Sequence, residues 1–255
     1  MDIEEINGRA WDREGERGNT WTRIVGEEEI EKAKEGDVRL RITTGKAVPP
    51  QWRDKLKGKK VLVLCGGGGQ QTPLLAAYGC SVTSIDISRS QIETDRKALE
   101  MYSLEAETVV GSALSLPFPS SSFDAVVNPV SLNFIEDIEK AYSEIDRVLK
   151  KDGYFMMGIA NPVLYLFDEK KQERKLVVKY TLPFSTTRSL SKREVGKKIK
   201  SGDTIEFSHT LASILSPLFR RGFIAEDFFS DSSLSEPTDS FIQDAFLAFL
   251  FRKSR

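Results

Sequence analysis

Histidine is almost missing from this chain: 255 residues hold His209 alone, with only two cysteines, Cys65 and Cys80. The cysteines have neither CxxC spacing nor accompanying histidines, so the ordinary zinc ligand sets are excluded and no metal is expected. Cys65 closes an apolar run and Cys80 falls at a helix-to-strand turn, positions that suit buried thiols in a reducing compartment. Excess charge of either sign is also absent. Lys and Arg number 37 and Asp and Glu 38, a formal charge of −1, which gives no electrostatic reason to bind nucleic acid or an anionic membrane. Basic residues gather locally at Lys170-Lys171, Arg174-Lys175 and Lys192-Arg193 with Lys197-Lys198, but acidic residues interleave as on a solvated face. No stretch reaches the ~18 uninterrupted apolar residues of a membrane span. Met1-Asp2-Ile3-Glu4-Glu5 lacks the basic segment and apolar run of a secretion signal, so a soluble cytoplasmic chain is expected. No repeat with a period of about 20–50 residues is visible.

What the chain does have is a glycine cluster. Val61 to Leu64 is an apolar run that suits a strand buried on both faces of a parallel sheet. After Cys65 it breaks into Gly66, Gly67, Gly68 and Gly69, where the missing Cβ atoms permit a sharp turn and let a ligand lie against the backbone. Pro73 to Tyr78 reads as a helix stopped by Gly79, and Val82 to Ile85 as a second strand ending in the acid Asp86. Strand, glycine turn, helix and acid-tipped strand form one βαβ unit of a nucleotide site, its carboxylate suited to a ribose hydroxyl pair.

The rest divides into three parts. Residues 1–57 are polar and carry Trp11, Trp21 and Trp52, with a helix at Glu27 to Lys34 stopped by Gly36; they are read as a cap or substrate-side extension. Residues 58–255 are read as the main domain, with a substrate-side insertion around 161–210. Strands are expected at 60–65, 81–86, 107–110, 123–128 and 154–159, and helices near 71–78, 89–102 and 137–149. Lys150-Lys151-Asp152-Gly153 is read as a glycine turn closing the last of these helices. Beyond Asn161 an exposed strand is expected at Leu176 to Tyr180, a charged helix at Lys192 to Lys200, and another at Leu211 to Arg220 ending at Gly222. Phe223 to Phe229 and Ala245 to Arg252, separated by a loop at Ser230 to Ser240, should close one sheet edge as a hairpin.

This order of motifs resembles the class I S-adenosylmethionine-dependent methyltransferases, in particular the bacterial type 11 group, over residues 59 to about 160. The family's first motif, apolar-Asp-apolar-Gly-x-Gly-x-Gly, aligns with Val61 to Gly69; its glycines fall on Cys65, Gly67 and Gly69 and its acid on Val63. Asp86-Ile87-Ser88-Arg89-Ser90-Gln91-Ile92 is similar to the second motif, and Gly111-Ser112-Ala113 stands where the third reads Gly-Asp-Ala. Arg147-Val148-Leu149-Lys150-Lys151-Asp152-Gly153-Tyr154-Phe155 matches the family's helix and turn before strand five. Asn128-Pro129-Val130-Ser131 partly resembles the Asn-Pro-Pro-aromatic run of nucleic-acid amino methyltransferases.

The resemblance implies an α/β, doubly wound, mostly parallel seven-stranded sheet with an antiparallel C-terminal edge, and S-adenosylmethionine as cofactor. Cofactor contacts are implied at Cys65, Gly66, Gly67, Gly68, Gly69, Gln70, Asp86, Ile87, Gln91, Ser112, Ala113, Asn128 and Pro129. Acceptor contacts are expected at Trp11, Trp21, Asn133, Tyr165 and His209, the last also a candidate base because its titration lies near neutrality. The expected reaction is methyl transfer to a small molecule by in-line displacement. Three alternatives have footholds in the sequence: a nucleobase acceptor at Asn128-Pro129, a non-catalytic sensor given Val63 and Ser112, and a dinucleotide oxidoreductase. The last needs Gly-x-Gly-x-x-Gly, but after Gly66 and Gly68 the third position is Gln71.

Overall fold

The computed structural model describes residues 1–170 and 175–255; Lys171 and Arg174 of the basic clusters lie outside the described residues. Helix α1 (Ile3–Glu16) begins at Asp2, whose side chain accepts from Glu5 N. It is followed by α2 (Glu27–Lys34) and the single turn α3 (Pro50–Arg53). Next come β1 (Lys60–Leu64), α4 (Gln71–Ala77), β2 (Ser81–Asp86), α5 (Arg89–Met101), β3 (Glu107–Val110) and β4 (Phe123–Asn128). The second half holds α6 (Ile138–Val148), β5 (Leu149–Ala160), β6 (Phe167–Lys170), β7 (Lys175–Val178), α7 (Thr186–Ser189) and α8 (Lys192–Ser201). It closes with α9 (Leu211–Arg220), β8 (Phe223–Asp231), α10 (Thr238–Phe241) and β9 (Phe246–Lys253).

The main sheet runs β3-β2-β1-β4-β5-β9-β8. Neighbours from β3 through β5 pair in parallel, while β9 lies antiparallel to both β5 and β8. The doubly wound sheet with an antiparallel C-terminal hairpin is therefore as expected, although the last strand inserts beside β5 and leaves β8 at the edge. Alternation along β1 sends Val61 and Val63 to one face and Leu62 and Leu64 to the other. Val61 and Val63 join a core with Ile30, Trp52 and Leu75, whereas Leu62 and Leu64 join Tyr142, Ile145 and Phe155. Each fully buried large apolar side chain adds about 1.5–3 kcal/mol, which makes both layers integral to stability. Residues 25–56 thus share their core with β1 itself: Val25, Ile30, Ala33, Leu40 and Trp52 are all buried in it.

Three local expectations change. Periodicity gave no helix at the amino terminus, where α1 lies against α5. β5 starts at Leu149, not 154, and no free glycine turn precedes it. The left-handed residue there is Asp152, at φ 59°, while Gly153 serves a close approach, since a Cβ on it would lie 2.9 Å from the Asp124 carbonyl. The exposed strand expected at 176–180 is β7, paired with β6 in a separate two-stranded sheet.

Candidate active site

The glycine turn is held from outside its own strand. Cys65 takes a left-handed φ of 52° as β1 ends, and its N–H donates to Ile85 O at 2.9 Å. Gly68 and Gly69 have φ of 114° and 80°, values that disfavour any side chain. Asp95, fully buried on α5, accepts from Gly69 N at 2.7 Å, Thr72 Oγ1 at 2.8 Å and Ser84 Oγ at 2.7 Å. One carboxylate thereby ties the turn to α4 and β2. Gly68 N donates to Gln91 O at 3.1 Å, and Val25 N donates to Gly69 O at 2.9 Å. A Cβ on Gly67 would lie 2.8 Å from Gln91 Cβ, and one on Gly68 2.5 Å from Gln91 Oε1. Gly68 and Gly69 are therefore packed against α5 and residues 21–24, and it is Gly66 and Gly67 that face a cavity.

Asp86 ends β2 beside that turn, 9% exposed, and accepts from Ser88 N at 2.8 Å and from Gly67 N. Burial pushes its pKa up to about 6, opposed by the Ser88 and Gly67 N–H groups and reinforced by the nearby charges of Asp95 and Asp12. The cavity that these residues line has a volume of about 1390 Å³. Ile87, Gln91, Ala113 and Leu114 continue its wall on the β2–β3 side. Ser112 does not line it: its hydroxyl donates to Glu4 of α1 and accepts from Leu114 N at 2.9 Å. Asn128 is also turned inward, its amide donating to Leu64 O at 2.8 Å and Ser131 Oγ at 2.7 Å, while Pro129, Val130 and Ser131 form the wall.

Helix α1 joins the two sides of the cavity. Its buried Asn7 donates to Phe134 O and Ile205 O, each at 3.0 Å, and accepts from Ile205 N at 2.7 Å. Asp12 accepts from Ser88 Oγ and Ser90 N, and Gln91 Nε2 donates to Trp11 O at 3.1 Å. Trp11 meets Phe134 edge to face at 5.3 Å between centroids. On the β4–β5 side, Tyr165 donates its hydroxyl proton to Glu206 Oε2 at 2.7 Å, and Thr204 Oγ1 donates to Glu206 Oε1 at 3.0 Å. Burial and the Glu206 charge hold the Tyr165 phenol well above its usual pKa, while a hydrogen bond with Asn133 opposes them. Asn133 Oδ1 is buried with no partner.

The cavity thus gathers Cys65, Gly66, Gly67, Gln70, Asp86, Ile87, Gln91, Ala113 and Pro129 with Trp11, Trp21, Asn133 and Tyr165. It does not gather Gly68, Gly69, Ser112, Asn128 or His209. His209 sits at φ 54° with Nε2 2.8 Å from Ile135 O; burial lowers its pKa, opposed by its contacts with the Ile135 and Leu132 backbone. Glu206 lines the cavity too, although no sequence motif singles it out. The available signal was the alternation Ile205-Glu206-Phe207, in which burial of both neighbours turns the acid to the other side.

Residues 62–157 match the family model for a methyltransferase domain. Over 88% of this chain, and 89% of the relative, the sequence is 41% identical to the uncharacterized methyltransferase YbaJ of Bacillus subtilis. This chain belongs to the class I S-adenosylmethionine-dependent methyltransferases. A methyltransferase structure from Methanosarcina mazei superposes with a TM-score of 0.61 at 24% identity, covering 81% of this chain and 98% of that one, which shows the shared fold. A fatty-acid O-methyltransferase of Mycolicibacterium smegmatis is 34% identical over 48% of this methyltransferase and 43% of its own length. Among the described residues no helix is long and apolar enough to cross a membrane, and no cluster of His, Cys, Asp and Glu is arranged to hold a metal ion.

Proposed function

We propose that this methyltransferase acts on a small molecule held in the same cavity as its cofactor. One observation carries the reading: a single continuous wall includes Gly66, Gly67 and Asp86 on the β1–β2 side and Asn133, Tyr165 and Glu206 on the β4–β5 side. Its 1390 Å³ exceeds the roughly 300–1,000 Å³ of a site for one small ligand, which favours donor and acceptor lying together.

The residues fit S-adenosylmethionine. Asp86 offers a buried carboxylate for the ribose diol, Ile87, Ala113 and Leu114 offer apolar contact for adenine, and Gly66 and Gly67 offer bare backbone. Gln91 Oε1, buried without a partner beside the turn, is a further acceptor for a donor group. When bound, the cofactor supplies a methyl group already activated on a positively charged sulfur. The chain's task is then to align an acceptor with that group and keep water out, and proximity alone supplies roughly 7–11 kcal/mol of such a barrier. Trp11 and Trp21 suit this task, because aromatic faces attract cations and exclude water. The engagement of the Asn128 amide with Leu64 and Ser131 favours a small-molecule acceptor over a nucleobase amine.

Calorimetry with S-adenosylhomocysteine tests the donor half. Asp86→Asn should weaken binding about tenfold or more, the scale of a lost charge-assisted hydrogen bond. Unchanged affinity in that variant would remove Asp86 from the proposed ribose site.

A further inference from the structure

We propose that the group on the acceptor recognised by Asn133, Tyr165 and Glu206 is a protonated amine. This inference rests on the two-ligand reading of the cavity and names the acceptor class. Glu206 lines the cavity with both carboxylate oxygens accepting from neutral hydroxyls, and among the described residues no cation pairs with it. A half-buried carboxylate without a counter-ion sits in a site that gains most from a ligand bringing one.

Asn133 supplies the second part. Its amide is turned toward the Tyr165 hydroxyl, its backbone carbonyl accepts from Phe207 N at 2.8 Å, and its Oδ1 is left buried without a donor. An orphaned acceptor of this kind carries an uncompensated desolvation cost until a ligand N–H or O–H reaches it. The wall that carries the two acceptors also carries the rings of Tyr165, Phe134 and Trp11, aromatic faces of the kind that attract an ammonium group. The whole lining has seven carboxylate side chains against three guanidiniums. Two of those guanidiniums belong to Arg39 and Arg41, and Arg41 is already paired with Glu29 at 3.0 Å while its carbonyl accepts from Gln71 Nε2. An acidic acceptor would meet Glu206 with no compensating charge, and a neutral alcohol would leave that carboxylate unpaired.

The test uses the full chain saturated with S-adenosylhomocysteine, which is uncharged at sulfur and removes the sulfonium from the comparison. Phenethylamine, 2-phenylethanol and 3-phenylpropionate, which differ chiefly in charge, are titrated by calorimetry. Phenethylamine should bind at least about tenfold more tightly than the alcohol, with the carboxylate weakest. Glu206→Gln should abolish that preference while leaving the affinity for S-adenosylhomocysteine unchanged and the far-ultraviolet circular dichroism that of the folded chain. Amine binding no tighter than alcohol binding, including undetectable binding of both, overturns the proposal, as does a preference that survives in Glu206→Gln. Failure of the wild-type chain to take up S-adenosylhomocysteine is a separate result and counts against the cofactor site itself.

Discussion

Asp95 sets two physical effects against each other, and the pH dependence of stability tells which wins. Its carboxylate accepts from Gly69, Thr72 and Ser84, which favours the ionised form, yet it is fully buried, which favours the neutral form. Burial prevails, raising the pKa from 3.8 to about 6. A carboxyl group raised in this way takes up protons more readily in the folded state than in the unfolded one. Its stabilising contribution is complete below pH 3.8 and is lost as the pH rises through about 6. A shift of about two units corresponds to about 3 kcal/mol over that window. Asp95→Asn removes this titration, so across the assayed range the stability gap between wild type and variant should be largest at pH 4.5 and shrink by about 2 kcal/mol by pH 7. Urea unfolding of both proteins from pH 4.5 to 8, followed by circular dichroism, measures the gap directly. A gap that grows with pH would mean that the three donors outweigh burial, and would refute the argument.

Asn7→Ala strips Phe134 O, Ile205 O and Ile205 N of a buried partner. We expect a loss of about 3 kcal/mol and a melting temperature lower by roughly 6–12 °C, read by thermal unfolding. Gly158→Ala would bring a Cβ within 1.9 Å of the Ile42 carbonyl, so soluble folded protein should not be recovered on expression; a normal melting curve would contradict that contact. His209→Ala should leave affinity for S-adenosylhomocysteine unchanged and lower stability by about 1 kcal/mol, the value of one hydrogen bond to Ile135. A loss of cofactor affinity in that variant would return the histidine to the site.

The legible parts of the fold are those whose burial leaves a periodic trace. β1 is apolar on both faces because helices cover both, and β2, buried from Val82 onward, ends in the acid Asp86. Helix α1 leaves no such trace. Its sequence mixes charges with Gly8 and Gly15, and it is held by polar contacts from Asn7 and Asp12 to groups far away in the chain. The two glycines admit close neighbours, Ile87 O at 3.4 Å and Ser90 Oγ at 3.0 Å from their would-be Cβ atoms. Local propensity counts such glycines against a helix, and tertiary contact outweighs that cost. His209 differs again: residue type marks it for chemistry, and three-dimensional packing sets its ring against Ile135 O, outside the cavity wall. Glu206 was hidden for a related reason, since an alternation of three residues is too short to tell an acid facing a cavity from one facing solvent.

The four glycines divide into two pairs with different duties, and that division bears on the missing acid of the first motif. Val63, where relatives carry the carboxylate, is fully buried, and a Cβ on Gly66 would lie 2.6 Å from its Cγ1. A branched apolar side chain there packs under the turn but offers it no acceptor. The acceptors come instead from α5: Gln91 O takes Gly68 N, and Asp95 takes Gly69 N. Such close contact with α5 requires that Gly67 and Gly68 have no Cβ, because either would strike the Gln91 side chain. The same side chain donates to Trp11 O, so the anchor of the glycine turn and the attachment of α1 meet at one residue. Anchoring on α5 leaves Gly66 and Gly67 facing the cavity and couples the turn to the helix that covers it.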